Sequence, residues 1–145
     1  MKKYLTILII LIIFVLCIKS PSYSENAEDY YFKANLNLTS GNIAESVVFY
    51  RLATQKKEKF FEAYLGLSIA YRELGEYDKA HNAILKVLEI KPDYYQVYYN
   101  LGLIFEKQGK NSKALATYKE FLEKVPGASR FTDTKQRISK LKNSN

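Results

Sequence analysis

Residues 95–128 read YQVYYNLGLIFEKQGKNSKALATYKEFLEKVPGA, and residues 61–94 repeat their spacing as FEAYLGLSIAYRELGEYDKAHNAILKVLEIKPDY. The same interval of 34 positions relates small residues and prolines along the chain: Gly41, Gly75 and Gly109; Ala80 and Ala114; Pro92 and Pro126. A period of about 20–50 residues indicates stacked supersecondary units, none of which can bury its apolar face alone. Such stacks usually present a surface to a partner.

Each unit contains two apolar segments at helical spacing, joined by a short turn that contains the periodic glycine. We expect this glycine to adopt the left-handed conformation that ends the first helix, and the proline to end the second. Asp78 and Ser112 are the predicted N-caps of the second helices. Ala80 and Ala114 are predicted to be small because the two helices cross there.

The third unit has the order aromatic, Leu-Gly, aromatic, Ala, aromatic, Pro: Tyr98, Leu101, Gly102, Phe105, Ala114, Tyr118 and Pro126. This order closely resembles the tetratricopeptide repeat. The second unit follows it with Ser68 in place of the glycine, and the first unit matches least well. The resemblance implies an all-α, right-handed solenoid of three helix-turn-helix units, at 27–60, 61–94 and 95–128. A basic capping helix and tail at 129–145 completes residues 27–145, with Phe131, Ile138 and Leu141 facing the last repeat.

The N-terminus is a separate segment, predicted over residues 1–24. A basic start is followed by an apolar run from Tyr4 to Ile18 and by small residues that end at Ser24, the expected cleavage position of a secretory signal. Fifteen helical residues extend about 22 Å, less than the ~30 Å of a bilayer core. The run is interpreted as a cleaved signal or, alternatively, as a retained membrane anchor. A buried structural helix is not expected, since the repeats leave no visible slot for it.

Cys17 is the one cysteine of the chain, which leaves lipid attachment at this residue as a third alternative, although Leu16 is larger than the residue that usually precedes a lipidated cysteine. The segment is typical of an exported protein of a bacterial envelope, periplasmic or membrane-associated. The formal net charge is +7, and residues 130–142 carry a net +4. We expect this tail to be a solvated cap or, alternatively, a basic patch for an anionic membrane.

The sequence contains no pattern of an enzyme. His81 is the one histidine, expected to face outward, and no phosphate loop, zinc motif or nucleophile elbow accompanies it. We therefore predict no catalytic residue, no metal, no cofactor, no small-molecule substrate and no nucleic-acid partner.

The resemblance implies a concave groove lined by the first helix of each unit. The residues it assigns to a partner-binding site are Tyr31, Asn35, Leu65, Ile69, Arg72, Tyr99, Leu103 and Glu106. They form an apolar stripe with a charged edge, which favours a protein partner of unknown identity. Part of the stripe could instead pack under the C-terminal helix. The clamp that some relatives build for a C-terminal carboxylate is matched only at Asn35, so an apolar or aromatic segment is the expected ligand. The predicted function is a protein-protein interaction scaffold, or alternatively an anchored protein that meets the membrane through residues 4–18 or its basic tail.

Overall fold

A computed structural model of the chain describes residues 24–125, 127 and 131–143. Residues 1–23 and Pro126 therefore lie outside the described residues, and with them most of the predicted N-terminal segment. The described part consists of seven α-helices: α1 (Ala27–Thr39), α2 (Ile43–Lys56), α3 (Phe61–Glu73), α4 (Tyr77–Ile90), α5 (Val97–Lys107), α6 (Asn111–Lys124) and α7 (Phe131–Asn143). None of these helices is both long enough and apolar enough to cross a membrane.

The second helices keep the sequence period closely. They begin at Ile43, Tyr77 and Asn111, and each is 14 residues long. The three periodic glycines precede them with positive φ values, 81° at Gly41, 76° at Gly75 and 70° at Gly109. The predicted left-handed conformation is therefore confirmed. α4 ends at Ile90, and its C-cap Lys91 directly precedes Pro92.

The predicted N-caps are wrong. α4 begins after Glu76 and α6 begins after Lys110, and neither residue makes a side-chain capping bond. The turn itself is closed by the backbone, because the amide of Glu76 donates to the carbonyl of Tyr71 at 2.8 Å. The glycine therefore brings the chain into the second helix without a polar cap. Asp78 instead accepts a hydrogen bond from Nε2 of Gln108 in the next unit, at 3.1 Å.

The two helices of each unit pack as an antiparallel pair, and Ala80 and Ala114 are both fully buried. The first helices α1, α3 and α5 also contact one another in succession, and they do so more closely than the second helices do. This arrangement curves the stack and places the first helices on its inner surface.

Two glycines that lack left-handed φ values make room for buried tyrosines. A Cβ on Gly66 of α3 would overlap the ring of Tyr50 from α2, and a Cβ on Gly102 of α5 would overlap the ring of Tyr118 from α6. Both rings are almost completely buried. Gly66 therefore fits α3 against the preceding unit, whereas Gly102, beside the half-buried Leu101, closes its own hairpin.

α7 continues the period as one further first helix. It begins at Phe131, 34 residues after α5 begins at Val97, and it packs against α6. Ile138 and Leu141 join the buried cluster of Ala114 and Tyr118, as expected for a capping helix. The side chain of Phe131 lies outside the described residues.

Candidate functional site

The inner surface begins in the first unit with Tyr31 and Asn35 on α1. The half-buried ring of Tyr31 lies 5.0 Å from the ring of Phe60 and 6.0 Å from that of Tyr50, measured between centroids. Oη of Tyr50 donates to Oδ1 of Asn35 at 2.6 Å. Burial raises the pKa of Tyr50 to about 12, so this tyrosine remains a neutral donor near neutral pH. The hydrogen bond fixes the amide of Asn35 at the surface of the groove.

Three residues of α3 continue this surface into the second unit. Leu65 and Ile69 are half-buried, and Leu65 packs against the cluster around Ile84 and Val97. Nη2 of Arg72 donates to Oε1 of Glu73 at 2.8 Å. The Arg72 side chain is only 15 % exposed, so it lies along the apolar wall with its charge at the rim. The second unit therefore offers an aliphatic floor with a paired charge beside it.

The third unit differs, because its predicted groove residues contact α7. Oη of Tyr99 donates to Oδ2 of Asp133 at 2.6 Å. The Tyr99 ring also lies 5.7 Å from the ring of Phe121, and Leu103 packs against the cluster that contains Leu141. Two of the predicted partner anchors are therefore used within the chain.

Glu106 is the centre of a polar network at the same end. Its Oε2 accepts from Oη of Tyr118 at 2.7 Å and from Nη1 of Arg137 at 3.0 Å, and Nη1 also reaches Oε1 at 3.2 Å. Nε of Arg137 donates to Oδ2 of Asp133 at 2.8 Å. The network joins α5, α6 and α7 through charge-assisted hydrogen bonds, which are stronger than neutral ones.

Ionisation in this network follows from its contacts. The hydrogen bonds from Tyr99 and then Arg137 lower the pKa of Asp133. Burial and the Glu106 carboxylate raise the pKa of Tyr118. Burial opposes the charge of Arg137, but the hydrogen bonds to Asp133 and Glu106 outweigh it and raise the pKa of the guanidinium. The network is thus fully charged at neutral pH, with Tyr118 neutral.

The eight predicted groove residues therefore divide into two groups. Tyr31, Asn35, Leu65, Ile69 and Arg72 form the inner surface of the first two units, whereas Tyr99, Leu103 and Glu106 lie at the contact with α7. The alternative that part of the stripe packs under the C-terminal helix applies to the third unit. The role of Arg137 was missed by the sequence analysis, although its place one period after Leu103 could have indicated it.

The described residues contain no group of three or more His, Cys, Asp or Glu side chains that could hold a metal ion. His81, which was expected to face outward, is half-buried and lies 5.7 Å from the ring of Phe105. That expectation is wrong because the neighbouring unit covers this side of α4.

Comparison with known families gives two matches, described as "TPR repeat" over residues 68–109 and "Tetratricopeptide repeat" over residues 96–128. Among solved structures, the first TPR of Spaghetti (RPAP3) bound to an HSP90 peptide matches with a TM-score of 0.73 at 17 % identity, over 82 % of this chain and 92 % of that one. The Yersinia enterocolitica type III secretion chaperone SycD, in complex with a peptide of the translocator YopD, matches with a TM-score of 0.69 at 15 % identity, over 81 % of this chain and 89 % of that one.

A third structure, MamA, is 30 % identical, with a TM-score of 0.64, over 68 % of this chain and 58 % of that one. The two peptide complexes share the fold with this chain, and their low identity carries no more than that. The family matches and the stacked helices agree on the same repeat: this chain is a tetratricopeptide repeat protein.

Proposed function

We propose that this protein is a non-enzymatic scaffold that binds an extended segment of a partner protein on the inner surface of its first two units. The observation that carries the proposal is the half-buried stripe of Tyr31, Leu65 and Ile69 on adjacent first helices. Aromatic and aliphatic groups on a concave surface with polar edges are the usual anchors for a partner. Relatives with the same fold have been solved with peptides bound, which supports this mode of binding.

The chemistry of the stripe favours an apolar or aromatic ligand. Asn35 is the one residue that matches the carboxylate clamp of some relatives, and its Oδ1 already accepts from Tyr50. Arg72 is paired with Glu73. An acidic C-terminus would therefore have to compete for both groups, whereas an apolar side chain only needs to cover Leu65 and Ile69.

We also propose that the protein acts at a bacterial envelope, as an exported periplasmic or membrane-associated protein. The support comes from the sequence of residues 1–24, in which a basic start, an apolar run and Ser24 follow one another. Fractionation of native cells tests this. Mature protein in the soluble cytoplasmic fraction with its first residues intact would contradict export.

A second candidate is an anchored protein whose basic C-terminal helix contacts an anionic membrane. Its support is the exposure of Lys140 and Lys142 on α7. Arg137 does not contribute to such a patch, because Glu106 and Asp133 bind its guanidinium. Flotation with anionic and neutral vesicles separates the two candidates, since only the membrane-binding candidate predicts a preference for anionic lipid.

The groove is tested by a crosslinked pull-down from native cells. Leu65→Ser with Ile69→Ser removes the aliphatic floor and leaves the contact with α7 intact. Leu85→Ser on α4 is the matched control, since this leucine is 48 % exposed outside the inner surface. We expect a partner that the parent and the control recover and the groove variant loses. Equal recovery by all three would refute the groove, provided that circular dichroism shows the variant to be folded.

A further inference from the structure

The N-terminal end of the solenoid exposes two large apolar side chains. Phe32 is 70 % exposed and Leu36 is 58 % exposed, and they lie one turn apart on α1. Solenoids need polar or covered ends to remain soluble. An apolar end of this kind therefore has to be covered.

The same two positions are covered in the other units. Counting by 34 residues, the equivalents of Phe32 are Gly66, Asn100 and Thr134, and those of Leu36 are Ala70, Ile104 and Ile138. Gly66 and Thr134 are buried, and Ala70 and Ile104 are at most 1 % exposed. In the second unit the cover is the preceding second helix, whose Tyr50 ring lies against Gly66. The face of Phe32 and Leu36 is thus shaped to receive a second helix from upstream.

The period predicts where that helix would lie. Second helices begin at Ile43, Tyr77 and Asn111, so one period upstream spans 9–22. This range lies largely within the apolar run that ends at Ile18. It would leave four residues before Ala27, as many as separate Lys56 from Phe61. The expectation that the repeats leave no slot for this segment is therefore wrong.

The side chains at the predicted contact are complementary. The pair of Tyr50 and Gly66 corresponds to Leu16 and Phe32, so a smaller residue would meet the larger one. The pair of Ala53 and Ala63, fully buried in one cluster, corresponds to Lys19 and Asp29.

Ser46 and Ala70, also fully buried, correspond to Ile12 and Leu36. The three predicted contacts thus join large to medium-sized apolar groups, or opposite charges.

We propose that residues 9–20 of the chain cover this end, as the second helix of an incomplete upstream unit. Pro21 ends the helix, since the residue before a proline leaves the α region. A tethered segment needs little buried area to bind, because its effective concentration is in the millimolar range for short linkers. In this form the segment is retained after synthesis. Its opposite face is also apolar, so the protein is studied at full length in native membranes.

Disulfide trapping tests the contact. The background variant is Cys17→Ser, into which Leu16→Cys and Phe32→Cys are introduced together. An added oxidant takes up the two electrons and two protons released as the two thiols form one disulfide. The matched control combines Leu16→Cys with Val48→Cys, because Val48 is 55 % exposed on α2. A disulfide requires Cα atoms within about 7 Å, so we expect an intramolecular bond in the first variant and none in the control.

Ile12→Cys with Leu36→Cys is a second pair, in case the first variant fails to fold, and it is expected to trap equally well. Lys19→Glu should lower the trapped fraction several-fold, since Asp29 would then face a like charge. Absence of the bond in both pairs would overturn the proposal. So would a mature N-terminus after residue 20, or a disulfide formed only between two copies, which would assign this face to self-association. None of these outcomes bears on the groove of the proposed function.

Discussion

The two ends of this solenoid are finished in opposite ways. At the C-terminal end, α7 covers the last unit and presents polar residues outward: Gln136, Ser139, Lys140 and Asn143. At the N-terminal end of the described residues, α1 presents Phe32 and Leu36. A repeat needs a neighbour on each side, and a terminal repeat needs a polar outer face instead. The comparison teaches that the described chain contains one complete cap and lacks the other.

The buried tyrosines show the same asymmetry inside the molecule. Tyr50 in the first unit donates to the neutral amide of Asn35, whereas Tyr118 in the third unit donates to the carboxylate of Glu106. Only the carboxylate is also bound by Arg137 of α7. Charge therefore fixes the C-terminal cap to the repeats, while the first unit depends on neutral contacts.

Removal of the C-terminal cap should give the largest effect. Deletion of residues 131–145 exposes one side of Tyr118 and Phe121, which are at most 1 % exposed. Since full exposure of a large apolar side chain costs about 1.5–3 kcal/mol, we expect a loss of ~3 kcal/mol in the free energy of unfolding, measured with urea. Lys140→Ser on the outer face is the control and should change little. An unchanged unfolding midpoint after the deletion would make the two ends equivalent.

High pH should destabilise the first unit next. The folded chain holds the pKa of Tyr50 at about 12, against an ordinary value of 10. The stabilisation is complete below pH 10 and is lost as the pH rises toward 12, because only the unfolded chain ionises in that interval. The fall should be on the order of 2 kcal/mol. Tyr50→Phe should flatten the decline between pH 10 and 12 in urea unfolding, and a decline of the same steepness in this variant would exclude Tyr50 as its source.

Glu106→Gln should have a smaller effect, at the C-terminal end. It keeps an acceptor for Tyr118 but removes the negative charge that binds Arg137. We expect a loss of about 1 kcal/mol, measured by urea unfolding. Glu73→Gln is the matched control, because its pair with Arg72 has a Glu73 side chain that is 49 % exposed, and such pairs contribute little. Equal effects of the two variants would show that the network does not fasten the cap.

The smallest effect is expected at the open end. In a chain that begins at Ser24, Phe32→Ser removes no packed neighbour, so its effect should lie within about 0.5 kcal/mol. In the full-length chain the same change should cost more, if residues 9–20 cover this face. Thermal unfolding of both chain lengths, each with and without the change, measures the difference. Identical small effects would leave the end uncovered in both.

The sequence predicts the fold well because its strongest signals are backbone constraints. Gly75 and Gly109 mark their turns, since a positive φ costs glycine nothing, and Ala80 and Ala114 mark helix crossings. The N-caps were misplaced because each helix starts right after the glycine turn, before a polar side chain is needed. Asp78 is a good capping residue by type, but it bonds to Gln108 of the next unit.

The site could be predicted only in part. The first-helix positions are fixed by the repeat, so Tyr31, Leu65 and Ile69 could be assigned from the pattern. The pairing of Glu106 with Arg137 could not, because the residues lie 31 positions apart on helices that meet only through packing. Gly66 gave no signal either, since it falls outside the glycine period and its partner Tyr50 belongs to the preceding unit.

The fit of Tyr50 to Gly66 also constrains how this protein can evolve in length. If residues 61–94 were duplicated in place, Ile84 of the first copy would face a second Gly66, in the position that Tyr50 fills now. The smaller side chain would leave a void, and voids in a packed interior are destabilising. The units are therefore not interchangeable parts. Each junction accepts one particular neighbour, so the order of the units is written into their packing, and a newly copied unit would need a compensating substitution before it could be retained.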